Sequence, residues 1–156
     1  MSVETVRAFL AAHAPDLDIV ELDASTATVE MAARGHQVAP AQIAKTLSLR
    51  IKDRALLIVT SGDARLNNRK IKDVLGGKPR MLGADEVVAL TGHPVGGVCP
   101  FGLATPLPVY CDVSLKAFDE VVPAAGSTNS ALRISPDRLA AIVGAEGIDV
   151  CDRAPS

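Results

Sequence analysis

The amino-acid sequence predicts an α+β fold in a single domain spanning residues 1–156. A length of 156 residues fits one domain of the usual size, about 100–200 residues, and leaves no room for a second full-sized domain. Hydrophobic residues make up 48% of the chain and charged residues 22%, which is typical of globular proteins and argues against a disordered chain. Helical and strand-like segments are mixed without a regular strand–helix–strand rhythm, which favours α+β over a doubly wound fold.

Two helices and a short strand are predicted in the N-terminal segment. Apolar residues recur at helical spacing over residues 2–13. Residues 19–22 have the character of a short strand. Ser25 or Thr26 is expected to cap a second helix that runs to Gly35. The side-chain oxygen of either residue can accept a hydrogen bond from a free backbone N–H at the start of a helix.

The clearest predicted strand runs from Ile43 to Ile51, after a short helical turn that opens at Pro40. Apolar residues occupy alternate positions along this strand, so one of its faces is apolar and the other polar. A tight turn at residues 52–54 leads into the apolar run Ala55–Val59. The two segments predict a hairpin whose second strand is the more deeply buried.

Capping residues and glycine stops delimit the remaining elements. We predict a helix capped by Asn67 or Asn68 and closed by Gly76, a helix over residues 85–90, strands over 109–111 and 131–134, and a helix from a Ser135 cap through Val143.

The charge balance and the aromatic content limit the partners. Sixteen lysines and arginines against eighteen aspartates and glutamates give a net charge of −2, so no overall positive field attracts DNA or a membrane. Three Phe, one Tyr and no Trp are too few for a protein that stacks successive bases on aromatic rings. Any polyanion is therefore expected to bind at a local patch.

The cysteines and the N-terminal segment indicate a reducing compartment. Cys99, Cys111 and Cys151 form no CxxC pair and are odd in number, which fits reduced thiols rather than a disulfide framework. The first residues carry charges and lack the apolar run of a signal peptide or a membrane helix. We expect a cytoplasmic protein.

The segment Gly92–Gly102 contains four of the twelve glycines and two prolines, and is predicted to be neither helix nor strand. Glycine allows close backbone approach and positive φ, and proline stiffens the flanking chain, so consecutive N–H groups can face an anion or a carbonyl oxygen. The alternative is a tight connection without a ligand. The nearby Gly77-Lys78-Pro79 lacks the upstream glycine of a phosphate-binding Walker loop.

Lys45 occupies the apolar face if the strand already begins at Ile43. A lysine held there must meet an anion or line a polar cavity, because burying an unpaired charge costs several kcal/mol. Alternatively, the strand begins at Thr46 and the Lys45 side chain reaches solvent.

A cationic segment over residues 65–80 supplies a local positive patch that the overall charge lacks. Phosphate contacts are one use of such a cluster, and a solvated helix face is the other. Its basic residues are Arg65, Arg69, Lys70, Lys72, Lys78 and Arg80.

Metal and serine-nucleophile chemistry have no support in the sequence. His13, His36 and His93 have no metal-ligand spacing, so we expect no metal site. No G-x-S-x-G elbow is present. Cys99, beside the glycines, is either a thiol nucleophile or a small residue that lines a pocket.

Five segments together resemble the YbaK/prolyl-tRNA synthetase-associated editing domain family over about residues 24–143. The combination of K-T-L with G-x-x-x-G-G-x-x-P-x-G is far more specific than either motif alone. The matching segments are 42–47, 61–63, 66–76, 91–102 and 125–129.

The resemblance implies a mixed, mostly antiparallel and barrel-like twisted sheet flanked by helices. It also implies a freestanding aminoacyl-tRNA deacylase, a hydrolase that needs neither metal nor cofactor. Such proteins hydrolyse the ester of a wrong amino acid, commonly alanine or cysteine on proline tRNA. The implied partners are the acceptor end of aminoacyl-tRNA and prolyl-tRNA synthetase.

The same resemblance assigns roles to individual residues. Lys45 inherits the main functional role, and Cys99 stands where the family often has serine, which leaves the amino-acid selectivity open. Beyond the resemblance, our own hypothesis is that the cationic segment 65–80 contacts the acceptor stem. Its proposed tRNA-binding residues are Arg65, Arg69, Lys70 and Lys72. The implied pocket residues are Gly96, Gly97, Pro100, Cys99, Thr46, Ser127 and Asn129.

Ester hydrolysis is compatible with these residues. It builds negative charge on the carbonyl oxygen, and one fixed donor such as the Gly96 or Gly97 N–H is worth roughly 3–4 kcal/mol. The Lys45 ammonium can anchor a phosphate or carbonyl, and a ribose hydroxyl of the substrate can position water. No protein base is then required, although Asp112 is a candidate.

Two alternatives remain open. One is a non-catalytic module that binds tRNA or a synthetase as an adaptor. The other is a thiol hydrolase that depends on Cys99.

Overall fold

The computed structural model describes residues 2–152 and confirms the α+β prediction. Five helices and eight strands are present in this part of the chain, together with two short 3-10 turns at Pro40–Gln42 and Val113–Ala117. The helices are α1 (Ser2–His13), α2 (Val29–His36), α3 (Asn68–Leu75), α4 (Ala84–Thr91) and α5 (Pro136–Val143). The strands are β1 (Val20–Glu21), β2 (Ile43–Ile51), β3 (Arg54–Ser61), β4 (Pro79–Met81), β5 (Val109–Asp112), β6 (Val122–Pro123), β7 (Ser130–Ala131) and β8 (Glu146–Ile148).

The main sheet is open and mixed. Its strand order is β4-β2-β3-β5-β8, and β6 also pairs with β2. The β2–β3 hairpin is the longest ladder and is antiparallel, as is β2–β4, whereas β2–β6, β3–β5 and β5–β8 are parallel. The barrel-like closure implied by the family resemblance is therefore a prediction that the structure corrects, because β4 and β8 are the ends of the sheet and do not pair.

The sheet separates two apolar clusters. One face packs against α1 and the segment around Phe101, and includes Leu57 and Val59 of β3. The other face packs against α3 through Ile71, and includes Leu49 and Ile58. Alternation along each strand produces this division, since successive side chains point to opposite faces. The hairpin thus forms the centre of the fold, with helices on both sides.

The start of α2 differs from the prediction. Thr28, and neither Ser25 nor Thr26, is the N-cap, and its hydroxyl accepts a hydrogen bond from the Met31 N–H. The Thr26 N–H and hydroxyl instead donate to the carbonyl of Thr128. A partner about a hundred residues away therefore removes Thr26 from the cap.

The ends of two other elements also differ from the prediction. Helix α2 continues past Gly35 to His36, with Gln37 in the left-handed region at φ 59° as its C-cap. The predicted strand over 131–134 is reduced to β7, and Ile134 forms only an isolated bridge with Val121. The caps at Asn67 and Ser135 are as predicted.

None of the helices within residues 2–152 has the length and apolar character needed to cross a membrane.

Candidate active site

A cleft of about 390 Å³ opens along the edge of β2. It lies where β2 has no neighbouring strand, between its short pairing with β6 and its pairing with β4. Its apolar wall comes from α2, from the β4–α4 region and from β6 and β7. The polar side chains that line it are Thr26, Thr28, Lys45, Thr46, Ser48 and Ser130.

Lys45 reaches the cleft from the face of β2 that packs against α3. The strand begins at Ile43, so the alternation that places Lys45 on the apolar face is observed. Its ammonium donates hydrogen bonds to the carbonyls of Gly62 (3.2 Å) and Ala64 (2.6 Å). Burial lowers the pKa of Lys45, although the nearby Asp63 carboxylate opposes this shift. The predicted polar environment of this lysine is thus supplied mainly by peptide carbonyls.

The loop that carries these carbonyls is held by the C-terminal segment. The Asn67 N–H donates to the Val150 carbonyl (2.7 Å), and the Asp152 N–H donates to the Arg65 carbonyl (2.8 Å). The Lys70 ammonium donates to the Cys151 carbonyl at 2.8 Å. These bonds join the loop that carries the Lys45 acceptors to the C-terminal segment.

Thr46 faces the opposite side of β2 from Lys45. It pairs with Val59, whose side chain lies in the cluster that contains Cys99 and Phe101. The Thr46 hydroxyl oxygen is buried and has no hydrogen-bond partner within residues 2–152. A buried hydroxyl without a partner is rare in folded proteins, and it lies here on the wall of the cleft.

The glycine segment contributes Gly96 to the cleft, together with Val95 and Val98. Gly96 has φ +89°, and a Cβ at this position would lie 2.9 Å from the Ala27 Cβ. Its N–H forms no hydrogen bond within the described part of the chain. The Gly97 N–H, in contrast, donates to the Pro94 carbonyl at 2.9 Å.

Gly97 is required by packing. A Cβ there would lie 2.6 Å from the carbonyl carbon of Ser127, so the two backbones touch. The Gly126 N–H donates to the Gly97 carbonyl (3.1 Å), which joins the two segments. Of the residues with an expected site role, Lys45, Thr46 and Gly96 line one cleft. The other expected pocket residues do not line it: Gly97, Cys99, Pro100, Ser127 and Asn129.

Cys99 and His93 form a buried pair behind the glycine segment. Both side chains have no exposed surface. Burial raises the pKa of Cys99 to about 12, so the thiol is protonated at neutral pH. The His93 Nε2 lies 2.7 Å from the Phe101 carbonyl and 3.6 Å from the Cys99 sulfur. These contacts tie the two ends of the segment together.

Ser127 and Asn129 act within their own turn. The Ser127 hydroxyl donates to Asn129 Oδ1 (2.8 Å) and accepts from the Ser130 hydroxyl (2.6 Å). The Asn129 side-chain amide donates to the Leu22 carbonyl at 2.8 Å. The turn therefore supports the wall of the cleft. The side chain of this turn that lines the cleft is Ser130, in place of the expected Ser127 and Asn129.

Comparison with known proteins identifies the family of this fold and cleft. The sequence profile described as the aminoacyl-tRNA editing domain matches residues 23–142. The chain belongs to the aminoacyl-tRNA editing domain family. The family resemblance seen in the sequence is confirmed.

Three relatives show the extent of the likeness. The uncharacterized protein YwhH of Bacillus subtilis (strain 168) is 46% identical over 153 residues, which cover 97% of this chain and 98% of YwhH. The solved structure of a candidate trans-editing enzyme for prolyl tRNA synthetase has 36% identity and a TM-score of 0.90, and covers 97% of this chain and 98% of that chain. A proline–tRNA ligase of Solidesulfovibrio magneticus is 37% identical over 107 residues, or 67% of this chain but only 18% of the ligase.

The cationic segment of the editing domain lies on and around α3, near the loop that holds Lys45. Arg65, Arg69 and Lys72 are exposed. Lys70 is only partly exposed, because its ammonium bonds Asp149 and the Cys151 carbonyl. The predicted patch is present, with one of its cations used to hold the C-terminal segment.

Asp112 of the editing domain does not line the cleft. Its two carboxylate oxygens accept hydrogen bonds from the Val150 N–H (2.8 Å) and the Ser114 N–H (2.9 Å). These bonds give it a structural role in joining β5 to the C-terminal segment. Within residues 2–152 there is also no group of three or more His, Cys, Asp or Glu side chains arranged to hold a metal ion.

Sequence reasoning missed several residues that line the cleft. Thr28 and Ser48 contribute hydroxyl groups, and Met81 and Leu82 contribute apolar surface. Strict alternation identifies the polar face of β2 and so could have suggested Ser48. Met81 and Leu82 reach the cleft because β4 pairs with β2. A strand of three residues is too short to show a hydrophobic period in the sequence.

Proposed function

We propose that this editing domain is a freestanding aminoacyl-tRNA deacylase. It hydrolyses the ester that joins a wrong amino acid, such as alanine or cysteine, to the terminal adenosine of proline tRNA. The observation that carries this proposal is the convergence of Lys45 and Gly96 on one cleft within a chain of this family. The name of the solved relative, a candidate trans-editing enzyme for prolyl tRNA synthetase, supports the same reaction.

Lys45 supplies positive charge at the reacting end of the substrate. An ammonium has three donors, and two of them are bound to the carbonyls of Gly62 and Ala64. The third is available to an oxygen of the substrate, either the ester carbonyl or the terminal phosphate. Because the other two bonds fix the ammonium, little reorganisation is needed when charge develops.

The Gly96 N–H is the proposed backbone donor to the carbonyl oxygen. The Gly97 N–H was an equal candidate in the sequence, but it is bound to Pro94 within the turn. Water adds to the ester carbonyl, the negative charge collects on the carbonyl oxygen, and the ribose oxygen leaves with a proton. A neighbouring ribose hydroxyl of the substrate positions the water. We therefore propose hydrolysis without a bound metal, with no protein side chain acting as the general base.

We propose that a rigid wall restricts the cleft to a small amino acid. Part of this wall is formed by Ala32 of α2, Ala44 of β2 and Ala27 of the loop before α2. The close contact between Gly97 and Ser127 stiffens the segment behind it. A wall that does not yield excludes larger side chains by steric clash, whereas one methylene in a soft apolar pocket changes binding by only about 1–3 kcal/mol.

The exposed cations near α3 are proposed to contact the acceptor stem. Arg65, Arg69 and Lys72 present free positive charge close to the loop that holds Lys45. Lys70 adds charge to the same surface, although it is already paired. Association with prolyl-tRNA synthetase and a cytoplasmic location complete the proposal.

The decisive experiment measures hydrolysis of a panel of purified aminoacyl-tRNAs. We expect multiple turnovers with alanyl- or cysteinyl-tRNA, unaffected by EDTA, and loss of at least about 100-fold in rate for Lys45→Ala. Lys52→Ala in the exposed β2–β3 turn is the matched control and should retain the wild-type rate. Near-normal turnover by a folded Lys45→Ala protein would contradict the assigned mechanism. Binding of tRNA without any turnover would favour the adaptor instead.

A further inference from the structure

The edge of β2 has a gap in its strand pairing at residues 45–47. Strand β6 pairs with Ile43 and Ala44, and β4 pairs with β2 from Leu49 onward. The Leu82 N–H extends the second pairing by donating to the Ser48 carbonyl at 3.0 Å. Thr46 lies in this gap. On this edge of β2 it faces the cleft instead of a neighbouring strand.

The peptide groups of Thr46 point into this gap. In an antiparallel ladder, the N–H and C=O groups of successive residues point alternately toward and away from the partner strand. Ser48 pairs with Leu57, whose N–H donates away from β2 to Pro108. The peptide N–H and C=O groups of Ser48 therefore point away from β3, as the bond between its carbonyl and the Leu82 N–H shows. Thr46 lies two residues earlier in the same strand, so its peptide groups point in the same direction.

Thr46 thus presents three unpaired polar groups to the cleft. Its hydroxyl oxygen is buried without a partner. Its N–H and C=O form no hydrogen bond with any residue of the described chain. Leaving a buried polar group unpaired costs as much as its lost solvation, so such groups mark places where a ligand or water completes the bonding.

We propose that the aminoacyl group of the substrate docks at Thr46 as the missing residue of the sheet. Its free α-ammonium donates to the Thr46 carbonyl and hydroxyl oxygens. Its ester carbonyl accepts from the Thr46 N–H in addition to the Gly96 N–H, one bond for each lone pair of the oxygen. This inference rests on the proposed deacylase function and specifies how that substrate is recognised.

The aminoacyl group has the right shape for this exchange. Two residues that face each other in a hydrogen-bonded antiparallel pair exchange both of their N–H···O=C bonds. An aminoacyl ester carries an amine and a carbonyl on either side of its α-carbon, as a residue in a strand does. Peptide ligands add to open sheet edges in the same way, and here the added strand is one residue long.

The arrangement predicts a substrate class. A free α-ammonium carries the charge and the donors that the Thr46 carbonyl and hydroxyl accept together. An N-acylated amine has lost the charge and keeps only one N–H, and its acyl group must enter the space beside β4 or β6. The site therefore selects aminoacyl esters with a free amine and rejects formylated, acetylated and peptidyl esters.

The experiment compares hydrolysis of alanyl-tRNA and N-acetyl-alanyl-tRNA by four proteins: wild type, Thr46→Val, Thr46→Ser and Thr105→Val. We expect N-acetylation to slow the wild type by about 10- to 100-fold, since bonds to a charged group are lost. Thr46→Val should slow hydrolysis of the free-amine substrate by about tenfold and leave the acetylated one unchanged. Thr46→Ser should restore most of that rate, and Thr105→Val, outside the cleft, should match the wild type.

A structural role for the hydroxyl would give a different result. Thr46→Val removes an unpartnered buried group, so its melting temperature should equal or exceed that of the wild type. Equal hydrolysis of both substrates by the wild type would overturn the inference, as would an equal loss on both substrates in Thr46→Val. Either result leaves the deacylase proposal standing.

A binding measurement separates this inference from the reaction itself. The probe is the non-hydrolysable amide 3′-alanylamido-3′-deoxyadenosine, followed by the backbone amide resonance of Thr46 in the full chain. The inference predicts that the probe shifts this resonance and that its N-acetyl derivative does not. If no aminoacyl-tRNA is hydrolysed, the deacylase proposal fails, and this titration still decides whether Thr46 binds the aminoacyl group. An unshifted Thr46 resonance at saturating probe would overturn the inference.

Discussion

The Lys45 ammonium lies 2.6 Å from the carbonyl oxygen of Ala64. This contact, with the longer one to Gly62, makes the main chain rather than a carboxylate the principal partner of the charge. A carbonyl carries only a partial charge, so it orients the ammonium without neutralising it. The positive charge therefore remains available to an anion that enters the cleft.

Gly97→Ala should disrupt the cleft. The added Cβ would lie 2.6 Å from a backbone atom of Ser127, so the glycine segment must move away from residues 126–128. We expect a loss of about 1–3 kcal/mol in the free energy of unfolding, measured by urea denaturation, and a loss of deacylation. Gly147→Ala is the control, because a Cβ there meets no atom within 4 Å. Equal stability of the two variants would refute the close contact.

The stability of the protein should fall as the pH drops below 6.5. Burial lowers the pKa of His93 below its ordinary value of 6.5, and the Phe101 carbonyl opposes this shift only in part. Below pH 6.5 the unfolded chain binds a proton more readily than the folded chain, so the free energy of unfolding decreases. Above pH 6.5 both states are neutral and this contribution is constant.

Urea denaturation at several pH values between 5 and 8 measures this effect. His36 contributes to the same slope, because burial also lowers its pKa and Arg133 adds to the shift. The slope should be smaller in His93→Gln and smaller still when His36→Gln is added. His13→Gln, at the exposed end of α1, is the control. An unchanged slope in His93→Gln would show that His93 takes no part.

Cys99→Ala and Cys99→Ser should retain deacylation. A thiol whose pKa is about 12 is almost entirely protonated at pH 7 and is a poor nucleophile. We expect near-wild-type rates for both variants and no inactivation by iodoacetamide. The measurement is hydrolysis of misacylated tRNA before and after alkylation. Loss of activity in a folded Cys99→Ser protein would instead support the thiol hydrolase.

Two neighbouring cations of α3 should behave differently on substitution. Lys72→Ala removes an exposed charge, so tRNA binding should weaken and lose about one unit of its salt slope. Lys70→Met breaks the bonds to Asp149 and Cys151, so it should lower the free energy of unfolding by about 1–2 kcal/mol. Filter binding at several salt concentrations and urea denaturation measure the two effects. An unchanged affinity in Lys72→Ala would remove this cation from the tRNA surface.

The sequence predicted those parts of the fold that are set by local patterns. Period-two alternation located β2 and the hairpin. It left two positions open for Lys45, and the start of β2 at Ile43 decides for the apolar face. Side-chain caps located the starts of α3 and α5. Thr26 was assigned to a cap because its partner, the Thr128 carbonyl, is distant in the chain and leaves no local signal.

The candidate site was predicted at the level of segments. The glycine-rich pattern indicates which segment approaches the cleft, but three-dimensional packing decides that Gly96 lines it while Gly97 supports it from behind. The gap opposite Thr46 depends on where β4 and β6 stop pairing with β2. Strands of two or three residues have too few side chains to show a period, so the sequence did not predict this gap.

The two walls of the cleft differ in how far apart their parts lie along the chain. Lys45 and its carbonyl acceptors at residues 62 and 64 belong to one hairpin and the loop that follows it, so little loop-closure entropy opposes their meeting. The opposite wall joins β2 only after a much longer stretch of chain has closed. It includes Val95, Gly96, Val98, Val122, Ala124, Ser130 and Ala131. We expect the ammonium to be oriented early in folding and the pocket to be completed late.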